Sequence, residues 1–100
     1  MFHHIVMFRF KQDVTKETVA EIRTRLRSLP STIETIRRYQ IGRDAGVTQG
    51  TWDLVVIAEF DDEAGYRTYR DHPDHVPVVN RIASLAEERA SVQSLELGDT

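Results

Sequence analysis

The chain has no cysteine at all. That excludes disulfides, thiolate metal sites and thiol nucleophiles, and it fits a reducing cytoplasm. Runs of basic residues are missing, and the net charge is −3 with a pI near 5.8, so there is no electrostatic footprint for nucleic acid. Long apolar stretches are missing too. Arg9 and Lys11 interrupt the first hydrophobic segment, and nothing approaches the roughly 20 residues needed to span a bilayer. Neither a secretory leader nor a membrane partner is expected. No repeat, low-complexity tract or linker divides the sequence. What remains is 100 residues, 40% hydrophobic and 29% charged, the balance of one globular domain over residues 1–100.

Hydrophobic periodicity gives strands and helices in alternation. Phe2 to Phe10 reads as a strand, with Phe2, His4, Val6, Phe8 and Phe10 on one face and His3, Ile5, Met7 and Arg9 on the other. Asp13 and Thr15 offer N-cap side chains to a helix whose Val19, Ile22, Leu26 and Leu29 recur at helical spacing, and Pro30-Ser31 stops it. A second strand is expected over Thr35 to Arg43 and a third over Trp52 to Phe60, separated by a loop punctuated by Gly46 and Gly50. Asp61 and Asp62 suit the start of a helix through Tyr66 and Tyr69, and Pro73 breaks it. A last helix from His75 to Ala86 carries Val76, Val79, Ile82 and Leu85. Glu88 to Glu96 closes as a strand with Ala90, Val92 and Ser94 on one face, and Gly98-Asp99-Thr100 is expected to fray. This order predicts an α+β fold, ferredoxin-like, with a four-stranded antiparallel sheet.

The helices of such a fold cover only one face of the sheet. Yet Ile5 and Met7 lie opposite Val6 and Phe8, and Val55 and Ile57 lie opposite Leu54 and Val56. Both faces of the central strands are therefore apolar, and an exposed second face would be a large patch for a monomer. A homodimer that stacks two sheets face to face removes it.

Chemistry concentrates in Tyr69-Arg70-Asp71-His72-Pro73-Asp74-His75, which brings two imidazoles and a phenol into seven residues. Histidine titrates closest to neutrality, so it is the usual proton carrier. His72 and His75 could instead donate to backbone carbonyls at the break between two helices, and His4 could be a hydrogen-bonded core histidine. A His-x-x-His pair split by proline does not lie on one regular helical turn, so no metal is assigned, and nothing singles out a haem ligand. No cofactor is expected.

The ordered set His4-Ile5-Val6-Met7-Phe8-Arg9-Phe10-Lys11, Gly42-Arg43-Asp44, the strand ending at Phe60, and Tyr69 to Val76 resembles the Dabb family, the dimeric α+β barrels also called stress-responsive A/B barrel domains. The likeness runs from about residue 2 to residue 96. It implies a homodimeric α+β barrel. Members include boiling-stable stress proteins of plants and a plant polyketide cyclase that closes olivetolic acid, so two functions follow. One is cofactor-free cyclase or isomerase chemistry on an apolar or aromatic carbonyl compound. The other is a non-catalytic stress protein whose role rests on the stable dimer. By similarity to the cyclase, Tyr69 and His75 would be catalytic. His4 matches a pocket histidine on the cyclase's first strand, and beside it Phe8, Trp52 and His72 are expected to contact the substrate. The aspartate that orients the cyclase's histidine is replaced here by Gln93, an amide that can accept an imidazole N–H but cannot stabilise an imidazolium as a carboxylate does.

Overall fold

A computed structural model describes residues 1–99. The elements are β1 (Phe2–Phe10), α1 (Lys16–Ser28) running into a 3₁₀ turn (Leu29–Ser31), β2 (Arg38–Arg43), β3 (Leu54–Phe60), α2 (Glu63–Asp71), α3 (Val76–Leu85) and β4 (Ala86–Ser94). All neighbouring strands are antiparallel in the order β2-β3-β1-β4. This is the ferredoxin-like arrangement expected.

Local chemistry fixes the helix boundaries. Thr15 caps α1 by accepting from the Thr18 N–H at 3.1 Å, and Asp62 caps α2 by accepting from the Gly65 N–H at 2.8 Å. The residue before a proline is pushed out of the helical region, so α2 ends at Asp71 and its C-cap, His72, is extended ahead of Pro73. The β2–β3 loop turns at Gly46 and Gly50, both with positive φ, a region costly for side chains with a Cβ.

Three strands differ in their bounds from the sequence reading. β2 begins at Arg38 because Ile33 and Ile36 are buried in a non-strand segment, and Thr35 Oγ1 donates to the Gly65 carbonyl at 2.9 Å instead of joining the sheet edge. β3 begins at Leu54, two residues after Trp52. β4 begins at Ala86, directly after α3, and ends at Ser94. Gly98 and Asp99 lie in no regular element, and Thr100, included in the expected fray, lies outside the described residues.

Register assigns every side chain to a face. Phe2, Val6, Phe8 and Phe10 of β1 and Leu54, Val56, Ala58 and Phe60 of β3 are buried beneath the helices with Ile22, Leu26, Val78 and Ile82. Each buried Val, Leu, Ile or Phe among these contributes about 1.5–3 kcal/mol. The opposite face pairs Ile5 with Ile57 and Val92, and Met7 with Val55 and Ala90. No helix covers it: Met7 is 42% exposed and Val92 58%. Ala90, Val92 and Ser94 do share this open face.

Candidate functional site

The break between α2 and α3 turns two side chains toward the helix-covered face of the sheet. His75 precedes α3 and is 8% exposed; Tyr69, one turn before the end of α2, is 3% exposed. Their rings lie 4.0 Å apart between centroids. His75 Nδ1 sits 3.1 Å from the Arg70 carbonyl oxygen. A carbonyl only accepts, so Nδ1 carries the hydrogen and Nε2 of the neutral ring presents a lone pair. Burial, offset in part by that hydrogen bond, lowers the affinity of His75 for a second proton, and the charges of His72 and Arg89 act in the same direction as burial. His75 is thus built as a neutral base at neutral pH.

Tyr69 is built as a neutral acid. Its hydroxyl lies 2.8 Å from that of Tyr39 on β2. Burial raises both phenols, Tyr69 to about 12 and Tyr39 further still. Either hydroxyl can donate in this pair; with Tyr39 as the donor, the Tyr69 hydrogen is free for another acceptor. Tyr39 was not singled out in the sequence, because only the β2–β3 register, which sets Tyr39 beside Ala58, brings it under α2.

His4 lies on the same face of β1, its ring 4.9 Å from that of Tyr66. Burial first, then the charges of Arg89 and His75, lower its pKa from 6.5 to about 4, so it is neutral. Gln93, directly across the ladder on β4, places its amide nitrogen 3.2 Å from His4 Nδ1. That nitrogen is a donor, which leaves the His4 hydrogen on Nε2. The expectation that Gln93 stands in for an orienting group on His75 is therefore corrected. Gln93 serves His4, and the Arg70 carbonyl orients His75.

A cavity of about 240 Å³ opens between α3 and β4, lined by Phe8, His75, Val79, Ile82, Ala83 and Ala86, with Glu87, Glu88 and Arg89 at its polar side. Phe8 lines this cavity. Trp52 does not. It lies at the end of the open sheet face, where the Arg9 guanidinium covers its ring at 5.0 Å and it borders a separate hollow with Met7 and Val55. The β2–β3 loop leads into β3 on that side, which strand periodicity extended back to Trp52 could not show. His72 is also away from the cavity. Its Nδ1 accepts from the Asp74 N–H at 3.0 Å and so fastens the turn around Pro73. Arg89 carries no signal of its own in the sequence; the register opposite Phe8 gives it its place. Among the described residues no cluster of three or more metal-ligating His, Asp or Glu side chains occurs, and no helix is long and apolar enough to cross a membrane.

Comparison with known proteins agrees with this architecture. A ferredoxin-like protein of unknown function from Thermobifida fusca, described as dimeric, is 38% identical, with a TM-score of 0.87 over 93% of this chain and 88% of its own. A second dimeric protein of unknown function, from Bacteroides fragilis, is 30% identical, with a TM-score of 0.81 over 93% of each chain. The hydroxynitrile lyase of Passiflora edulis shares the fold at a TM-score of 0.87 over 99% of this chain and 95% of its own, with 14% identity. A search of curated proteins returned no match. The family model of the Stress Responsive A/B Barrel Domain matches residues 2–94. A chain with this sheet order, this open apolar face and this match belongs to the Dabb family.

Proposed function

We propose that the protein is a cytoplasmic homodimer, joined through its open sheet faces, whose helix-side cavity performs cofactor-independent acid–base chemistry on a small apolar or aromatic carbonyl compound. One observation carries this reading: a buried His75 with its Nδ1 hydrogen held by a backbone carbonyl lines an open cavity beside a buried, neutral Tyr69. In the reaction, His75 Nε2 takes a proton from a carbon next to the carbonyl. The electron pair moves onto the carbonyl oxygen, and the Tyr69 O–H stabilises that oxygen. Attack of the resulting enolate carbon on a second carbonyl forms the new carbon–carbon bond, and the imidazolium returns its proton to the alkoxide. Such positioned groups contribute on the order of 10²–10⁴-fold each. His4, an Nε2–H donor on the same face, would hold a second substrate oxygen. Support from other proteins is limited to the scaffold: a lyase for hydroxynitriles is built on the same fold.

A second reading, a non-catalytic stress-responsive protein, is favoured by a different observation. The Tyr69 hydroxyl and His75 Nδ1 already have partners inside the chain. Against it stands the cavity, lined at its inner wall by valine, isoleucine and alanine and not filled by large side chains. One experiment separates the two. Aromatic ketones, β-diketones and phenols are screened by thermal shift on wild type and on a His75→Ala, Tyr69→Phe double variant. The catalytic reading expects a subset to raise the melting temperature of wild type only. Equal shifts in both proteins, or none in either, would remove it.

A further inference from the structure

A second cavity, of about 580 Å³, lies at the N-terminal end of α1, between that helix and the β2–β3 loop, and shares no lining residue with the His75 cavity. Its rim carries Lys11, Lys16, Arg23 and Arg43. Two carboxylates, Asp44 and Asp53, also face it, but both are engaged by backbone: Asp53 accepts from the Phe10 N–H at 2.8 Å and Asp44 from the Gly46 N–H at 3.1 Å. Among the described residues, none of the four cations forms an ion pair. The chain as a whole is acidic, at −3. A cluster of unpaired cations therefore does not follow from overall composition.

Arg23 is the sharpest sign. Its Nε is sealed from solvent and has no hydrogen-bond acceptor, the only such side-chain nitrogen or oxygen among the described residues. A buried donor without a partner is rare in native proteins and lowers stability. Desolvation, then the positive charges of Arg27 and Arg43, hold its guanidinium below the ordinary value, so the group is kept among like charges. An anion in the cavity would offset the repulsion among these like charges. Guanidinium groups bind phosphate and carboxylate in a two-pronged fashion, and the first turn of α1, through Thr15 and Lys16, adds a positive dipole end. Phe10, Val14 and Val19 form the apolar wall.

We propose that this cavity binds an oxyanion head group, phosphate or carboxylate, attached to a small apolar body, with Arg23 and Arg43 as its anchors. The site is independent of the chemistry at His75.

The full-length chain is titrated at low ionic strength with inorganic phosphate, phenyl phosphate and benzoate, followed by ¹H–¹⁵N spectra and thermal melting. The expected result is saturable binding, one site per chain, with shifts centred on residues 10–23 and 43–53. At least one of the organic anions should bind about tenfold or more tightly than inorganic phosphate, and the ranking of phenyl phosphate against benzoate identifies the head group. Arg23→Met should weaken binding at least tenfold, yet melt about 2–4 °C higher without anion because the orphan donor is gone. Arg43→Gln, on an exposed strand end, should weaken binding by a similar factor without changing the melt, and His75→Ala should leave anion affinity unaltered. No saturable binding of any of the three anions, or undiminished affinity in both arginine variants, would overturn the proposal.

Discussion

His3 and His4 are neighbours in sequence and opposites in structure. His4 points under the helices, where burial keeps it neutral and Gln93 holds its ring. His3 points to the open face, with Nδ1 at 3.2 Å from the Ser94 carbonyl oxygen and Nε2 at 3.2 Å from the Glu59 carboxylate. The alternation of a strand thus turns one dipeptide into a component of a chemical site on one face and a polar clasp among apolar residues on the other. The two faces of the sheet differ in the same way throughout. One is closed by helices and holds the Tyr39–Tyr69 pair and His75, which lines the cavity; the other is left open and apolar.

The comparison can be broken first at the centre of the open face. Ile57→Asp puts a charge where two sheets would meet. By symmetry it acts twice, and we expect the dimer constant to weaken by about 10³-fold or more in sedimentation equilibrium. An unchanged dimer would show that the open face is not the contact. On the closed face, Phe60 is fully buried. Phe60→Ala should cost about 3–5 kcal/mol in urea unfolding, with the loss shared by all spectroscopic probes.

A smaller effect separates the two histidines by pH. The folded pKa of His4 lies near 4 against 6.5 for a free imidazole, so between those values the unfolded chain binds more protons. Stability is then complete above about pH 6.5 and falls as the pH drops toward 4. His4→Gln should flatten this part of the stability curve by on the order of 1–2 kcal/mol relative to wild type. The smallest effect belongs to the open face. Glu59→Gln removes the carboxylate beside His3 and should change monomer stability by less than about 1 kcal/mol, as a partly exposed pair would.

Much of this was legible in the sequence. The two-faced apolar pattern of Ile5, Met7, Val55 and Ile57 requires nothing but strand alternation, and Pro73 marks the break that presents Tyr69 and His75. What could not be read was register. Gln93 was matched to His75 by its position on the last strand, whereas the antiparallel pairing of β1 with β4 sets it across from His4. Trp52, expected at the pocket as one of the chain's aromatic side chains, precedes β3 and lies on the open side of the sheet. Ile33 and Ile36 look like strand residues but are buried in an irregular segment, because packing under the helices satisfies them without a ladder. Tyr39 and Arg89 needed the sheet order before Tyr39 could be placed against Tyr69 and Arg89 at the cavity.

The most direct test of the acid–base assignment is the tautomer and titration of each imidazole, read from two-bond ¹H–¹⁵N spectra of the intact protein across pH. The account predicts that His75 and His4 are both neutral at pH 6.5 and of opposite tautomer, His75 protonated at Nδ1 and His4 at Nε2, with both titrating below the ordinary histidine value. A His75 protonated at Nε2 when neutral, or one that gains its second proton above pH 6.5, would contradict its assignment as the base.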